Sequence, residues 1–236
     1  MTHARQLPLP FTHSPEYVVV DFQAAPSNAA ALAWLDRAAD WPQGRLALWG
    51  PAGCGKTHLL HLWSARAGAT LLSGPALRLV PPEQPLAIDD ADAAPEQTLL
   101  HTLNAAAEAR LPVLLAGRAA PARWPVRLPD LASRLRAITS AEIHPADDDL
   151  LRSLLARLVS DRQMTISRPV QNILRLRLPR SPAALREAIA RLDRAALAAG
   201  GKVTPAMATE VIAAQQDHED FTDAAPPASS STPRLL

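Results

Sequence analysis

A single cysteine, Cys54, in 236 residues rules out an internal disulfide and any zinc cluster built on cysteines. Lysine is nearly as scarce. Of 24 basic residues only Lys56 and Lys202 are lysines, so arginine carries the rest of the positive charge and a lysine at position 56 stands out. The net charge is +1, which gives no overall electrostatic case for nucleic-acid binding. No segment approaches the roughly 18 apolar residues of a membrane span, and the N-terminus has no apolar run of signal-peptide length. The protein is therefore expected to be soluble, cytoplasmic and without membrane contacts. No internal repeat at solenoid spacing is present. What the chain does have is 48% hydrophobic residues, in a length suited to one large domain or two small ones.

The most informative stretch is Gly50-Pro51-Ala52-Gly53-Cys54-Gly55-Lys56-Thr57-His58. It meets every fixed position of the phosphate-loop pattern G-x-x-x-x-G-K-[ST]. Arg45-Leu46-Ala47-Leu48-Trp49 before it reads as a short buried strand, and the residues from Thr57 onward open a helix. The glycines let the backbone curl so that successive amides face one anion, and the helix directs its positive end to the same place. Lys56 is expected on the β- and γ-phosphates and Thr57 on Mg²⁺. Cys54 fills a free position of the pattern as a small tolerated side chain. A second signal is Pro85-Leu86-Ala87-Ile88-Asp89-Asp90, an apolar strand ending in two carboxylates. In phosphate-loop proteins the first such acid orients the Mg²⁺ shell and the next polarises the attacking water, so Asp89 is the metal candidate and Asp90 the catalytic one. Asp92 reads as surface.

Along the chain, residues 1–15 hold three prolines and no helical period, and predict an extended arm. Within it Gln6-Leu7-Pro8-Leu9-Pro10-Phe11 offers Leu7, Leu9 and Phe11 as apolar anchors on a stiff backbone. Burial of each is worth about 1.5–3 kcal/mol. Residue chemistry alone allows two outcomes, docking on a partner or folding back on the chain's own domain. Ser27 is expected to cap a helix running to Asp40. Strands are predicted at 45–49, 69–72, 85–90, 112–117 and 137–143, with helices over 96–110 and 131–136 and a short one over 76–79. This alternation implies a parallel α/β sheet with its ligand at the carboxyl edge. After Pro145 the pattern becomes all-helical. Helices are expected over 150–160 behind an acidic cap, 169–176, 181–199 behind Ser181, and 204–216. The domains expected are an arm (1–15), a nucleotide-binding base (16–145), a small helical domain (146–217) and a disordered tail (218–236). Arg118, Arg123, Arg127, Arg134 and Arg136 form a basic surface with two readings, contact with phosphates or, the commoner case, a solvated face.

A phosphate loop, a strand ending in Asp-Asp and a trailing helical block together resemble the AAA+ class, and more closely the ATPase region of the DnaA family. Leu131-Ala132-Ser133-Arg134-Leu135 resembles that family's arginine-finger motif. The resemblance implies that Arg134 reaches a nucleotide on a neighbouring subunit, a contribution worth about 10³–10⁵ in rate in related switches. The segment at 6–11 resembles the peptide by which bacterial replication proteins bind the ring-shaped sliding clamp. With about 20 residues after the helical block, no helix-turn-helix module of the kind that reads duplex DNA is expected. Arm, initiator-type core and no such module is the layout of Hda-type regulators within the DnaA family.

That layout implies a protein that binds ATP or ADP with Mg²⁺, docks on the clamp through Gln6, Leu7, Leu9 and Phe11, and stimulates ATP hydrolysis by the DnaA initiator. DNA would be reached only indirectly, the protein would associate with the nucleoid through the clamp, and self-association stays open. The alternative is a helicase-loader ATPase of the DnaC type. Three departures from the AAA+ pattern accompany the resemblance. The fourth strand ends Leu115-Ala116-Gly117-Arg118, without the usual polar sensor. The lid arginine aligns with an alanine in one register and with Arg186 in another. Asp90 replaces the more common glutamate. Weak or negligible intrinsic hydrolysis and a persistently bound nucleotide are therefore expected.

Overall fold

The computed structural model describes the backbone of residues 22–223 and the side chains of 22–215. The arm residues Gln6, Leu7, Leu9 and Phe11, and the tail from 224, lie outside the described residues. Two compact units emerge: 22–156 with Arg180–Ala184, and Arg157–Pro179 with 185–223.

The first unit is built on five parallel strands: β1 (Arg45–Trp49), β2 (Thr70–Ser73), β3 (Leu86–Asp89), β4 (Val113–Gly117) and β5 (Thr139–Glu142). Their order across the sheet is β2-β3-β4-β1-β5. All five match strands predicted from the sequence. Strands buried on both faces read as apolar runs, because successive side chains enter opposite layers. Leu46 and Leu48 of β1, Leu114 and Ala116 of β4, and Ala87 of β3 enter one core. That core is closed by Ala31 and Leu35 of α1 (Ala29–Leu35) and by Leu59, Leu60 and Trp63 of α2 (Lys56–Ala67). The alternate residues, Ala47, Val113, Leu115, Leu86 and Ile88, enter the other. There they meet Leu99, Leu103 and Ala106 of α3 (Glu96–Glu108) and Leu131 and Leu135 of α4 (Pro129–Ala137). A helix–sheet–helix sandwich results, with every β-to-α turn at the carboxyl edge.

Three local expectations are corrected. Asn28, not Ser27, precedes α1, and its side chain turns back into the 23–28 loop, accepting from the Ala25 N–H at 3.0 Å and donating to the Gln23 carbonyl at 3.0 Å. Helix α1 stops at Leu35 instead of Asp40, giving way to a 3-10 turn at Ala38–Asp40 before Trp41 stacks on Trp63, ring centroids 5.1 Å apart. No helix forms over 76–79. A tight turn closed by the Leu77 N–H on the Gly74 carbonyl, 3.0 Å, buries Leu77 instead.

Helix α5 (Asp148–Asp161) starts on the Asp147 carboxylate, which accepts the Leu150 N–H at 2.7 Å. The second unit is helical throughout. It contains α6 (Arg168–Arg177), most of α7 (Pro182–Ala198) and α8 (Pro205–Asp223). Val170 and Leu174 of α6, Ile189 and Leu192 of α7, and Ala208 and Ile212 of α8 are buried. Helix α8 continues to Asp223, past the expected end near 216. Among the described residues no helix is long and apolar enough to cross a membrane.

Candidate functional site

The turn from β1 into α2 passes close to β5. The Ile143 N–H donates to the Trp49 carbonyl at 2.7 Å, and a Cβ on Gly50 would lie 2.2 Å from the Ile143 carbonyl oxygen. Only glycine fits there. Gly53 is left-handed at φ 71°, and a Cβ on it would lie 2.0 Å from Ser181 Oγ. The amides of Gly53, Gly55 and Thr57 lie round the turn without a hydrogen-bond acceptor among the described residues, while the Lys56 N–H donates to the Cys54 thiol. Three such donors at the start of a 12-residue helix form a cradle suited to an anion.

Lys56 is 7% exposed, and its ammonium donates to the carbonyls of Gly50 and Pro51, both at 2.8 Å, with Cys54 Sγ at 3.8 Å. The cation thus ties the two ends of the loop together. Cys54 is buried, and burial pushes its thiol pKa up against the opposing pull of Lys56. Pro51 and Ala52 are exposed on the outside of the turn.

The sheet brings the metal candidates together across 32 residues of sequence. Thr57 Oγ1 donates to Asp89 Oδ2 at 2.6 Å, while the Asp90 N–H donates to Asp89 Oδ1 at 3.1 Å. Hydroxyl and carboxylate next to the amide cradle are the donor set a Mg²⁺–phosphate group requires, so the residues present fit it. Asp90 is exposed and left-handed, φ 47°. Its pKa is raised, first by desolvation and then by the charges of Asp89 and Asp92, with Arg118 and Lys56 opposing. Asp92 is no idle surface residue: its Oδ2 accepts the Arg118 N–H at 2.7 Å, clamping the end of β4 to the turn after β3.

Two neighbours of the loop escaped the sequence reading. Phe22 packs edge-on against His58, ring centroids 5.3 Å apart, and its ring edge lies 3.4 Å from where a Cβ on Gly55 would be. The 22–28 loop thereby lies over the first turn of α2, anchored further by the His144 N–H on the Ser27 carbonyl, 2.9 Å. Ser181, read only as a helix cap, accepts the Ala184 N–H and donates to the Gly53 carbonyl, each at 3.2 Å.

Arg134 lies elsewhere. Helix α4 carries the chain back to the amino edge, where β5 begins. At that edge Arg45, the first residue of β1, is 4% exposed and donates to the Leu103 carbonyl at 2.8 Å. Burial lowers the Arg45 pKa, and the charge of nearby Arg134 lowers it further. The five residues of β1 separate the two edges by roughly 15 Å at about 3.3 Å per residue. The Arg134 side chain is 36% exposed and pairs at 3.2 Å with Asp130, itself 59% exposed. Arg186 stands on α7 in the second unit, half-buried.

No family model matches the chain, and no curated protein matches it in sequence. Solved structures do. Domain III of the replication initiation protein DnaA from Thermotoga maritima superposes with a TM-score of 0.72 at 19% identity, covering 85% of this chain and 97% of that one. AMPPCP-bound DnaA from Aquifex aeolicus gives 0.65 at 16% identity, covering 88% and 71%. A RuvB variant from Thermotoga maritima gives 0.55 at 19% identity, covering 78% and 66%. The chain thus spans nearly all of the first and about two thirds of the others. Together with the sheet order and the loop, these define an α/β phosphate-loop fold of the AAA+ class, a parallel-sheet base followed by a small all-helical part. Within that class the fold is DnaA-like.

Proposed function

We propose that this protein is an adenine-nucleotide-binding regulator of chromosome replication initiation of the Hda type. It docks on the sliding clamp through Gln6, Leu7, Leu9 and Phe11 and stimulates ATP hydrolysis by the DnaA initiator. Residues 16–145 serve as its nucleotide-binding base, 146–217 as the helical domain, and the work is done in the cytoplasm, next to the nucleoid through the clamp.

The observation that carries this reading is the separation of two chemistries on one sheet. At the carboxyl edge, the amides from Gly53 to Thr57, with Lys56, would hold the phosphates of ATP or ADP, and Thr57 and Asp89 would hold Mg²⁺. The bound nucleotide supplies a ligand that orders this edge. Lys56 exchanges loop carbonyls for phosphate oxygens at little cost, because its charge stays hydrogen-bonded throughout. At the amino edge, roughly 15 Å off, Arg134 is out of reach of its own loop and open to a neighbour's. Its partner Asp130 is an exposed i,i+4 pair of the kind worth about 0.3–0.5 kcal/mol, easily exchanged for a phosphate. A guanidinium so placed acts on the nucleotide held by DnaA, stabilising charge as it develops there. Similar structures of the replication initiator DnaA hold AMPPCP, which supports adenine nucleotide as the ligand.

On the protein's own nucleotide, Asp90 would polarise the attacking water. With Arg118 where AAA+ proteins usually place an uncharged polar sensor, intrinsic turnover falls well below the roughly 10 s⁻¹ typical of enzymes. A clamp pull-down tests the docking half. Wild type is retained on immobilised clamp, and the variant with Gln6→Ala and Leu9→Ala is lost. Equal retention of both, or retention on replicative helicase instead of clamp, contradicts the proposal and favours a DnaC-type loader.

A further inference from the structure

At the amino edge of the sheet, Arg45 is a buried cation that packing alone does not require. It opens β1 and is 4% exposed. A guanidinium taken out of water is normally balanced by a carboxylate and by hydrogen bonds to its remaining donors. Among the described residues Arg45 has no ion pair. Its Nη2 donates to the Leu103 carbonyl at 2.8 Å, and among the described residues no other acceptor meets it. That carbonyl lies within α3, where the helix ladder already supplies a donor. A neutral side chain of similar size would fill the same space without the penalty of burying charge.

What lies beside Arg45 is a second cation. Its pKa is lowered first by burial and then by the charge of Arg134. The two are fixed with respect to each other, because Leu131 and Leu135 of α4 pack in the same core as Leu103. Arg134 is held at its flank: its Nε pairs with Asp130 Oδ1 at 3.2 Å, and its terminal nitrogens have no acceptor among the described residues. An exposed arginine otherwise samples many rotamers. A fixed positive charge behind it disfavours those that fold toward the sheet and leaves the open end of the fork for an anion outside. Donors aimed in advance stabilise developing charge without reorganising when it appears.

We propose that Arg45 is a positioning residue for Arg134, its buried charge keeping the Arg134 guanidinium turned away from the sheet and ready for the phosphates of a neighbour's nucleotide. This rests on the reading of Arg134 as the group that completes the chemistry of DnaA. Arg45 touches neither the partner nor its nucleotide. It acts through Arg134, and it does so while destabilising the fold that holds it.

The test uses two neutral replacements in the full chain. Arg45→Met keeps the volume, and Arg45→Gln also keeps a donor for the Leu103 carbonyl. ATP hydrolysis by DnaA with DNA-loaded clamp is titrated with wild type, each variant, Arg134→Ala and the double variant Arg45→Met with Arg134→Ala. Misplacing a catalytic group by about 1 Å costs on the order of 10²-fold, so the maximal stimulated rate should fall by about 10–100-fold. The half-saturating concentration should stay at the wild-type value, because no contact with the partner is lost. Urea midpoints of both variants should lie at or above wild type, since an uncompensated buried charge has gone. A strut between β1 and α3 would give the opposite, a lowered midpoint. The double variant should lose no more than Arg134→Ala alone. Full stimulation by both Arg45 variants, where Arg134→Ala has lost it, overturns this inference and leaves the reading of Arg134 standing. A midpoint lowered in both, a raised half-saturating concentration at an unchanged maximal rate, or a further loss in the double variant also overturns it. If Arg134→Ala stimulates like wild type, both readings fall together.

Discussion

The contact between Gly53 and Ser181 permits a quantitative test of how the phosphate loop is held. In Gly53→Ala the new methyl would sit 2.0 Å from Ser181 Oγ and 3.1 Å from Ser181 Cβ, on a residue at φ 71°. The left-handed conformation costs alanine about 1–2 kcal/mol, and overpacking typically costs about 1–3 kcal/mol more. Ser181→Ala removes a helix cap, about 1 kcal/mol, and a hydrogen bond to the Gly53 carbonyl worth about 0.5–1.5 kcal/mol. If the two residues share one space, the double variant escapes much of the clash. Its destabilisation then falls below the sum of the singles by about 1–2 kcal/mol, a coupling typical of residues in contact. Urea denaturation followed by tryptophan fluorescence is the assay. All five tryptophans, at 34, 41, 49, 63 and 124, lie in the first unit, so the signal reports on the fold that holds the loop. Additive losses would show that Ser181 does not rest on Gly53 in solution.

Other outcomes follow from the same geometry. Thr57→Ala and Asp89→Asn, which break the 2.6 Å contact, should each lower Mg²⁺-dependent binding of fluorescent ADP by about 10–100-fold while leaving Mg²⁺-free binding nearly unchanged. Lys56→Ala should abolish nucleotide binding and destabilise the protein by about 1–3 kcal/mol, because the Gly50 and Pro51 carbonyls lose their shared donor; a normal ADP isotherm would contradict this. Glu96 has its pKa lowered, first by the backbone hydrogen bonds of Arg127 and Leu128. Its folded pKa is therefore below its unfolded one, and the ionised carboxylate stabilises the fold above the ordinary glutamate value of about 4.3. That stabilisation is lost as pH falls through the depressed value, so the wild-type urea midpoint should drop more than that of Glu96→Gln between about pH 6 and pH 3.5. Parallel midpoints in the two proteins would remove Glu96 from the account.

Much of this fold is written in local pattern. The strands at Leu46–Leu48, Leu86–Ile88 and Val113–Ala116 are runs that only a doubly covered sheet can bury, and they could be placed without coordinates. Thr57 and Asp89 were legible as partners because the motif and the strand end each imply the same ion. What stayed hidden depends on distance along the chain. Ser181 meets Gly53 across 128 residues, and no periodicity encodes that. Phe22 sits in a short apolar stretch with no regular element to declare its direction, yet it packs on His58. Asp92 resembled a solvated acid in an Asp-Asp-Ala-Asp turn, and its amide partner lies 26 residues later. Ser27 and Asn28 are both good capping residues by type, yet Asn28 takes the position before α1 and spends its side chain on the preceding loop without capping the helix.

The central claim is that one edge of the sheet grips a nucleotide while Arg134, at the other edge, completes the chemistry of a partner. Its most direct test is ATP hydrolysis by DnaA in the presence of DNA-loaded clamp and either wild type or Arg134→Ala, with clamp retention and ADP affinity measured on the same preparations. The account predicts that Arg134→Ala loses about 10³-fold or more of the stimulation while both binding measurements stay at wild-type values. Undiminished stimulation by that variant would contradict it.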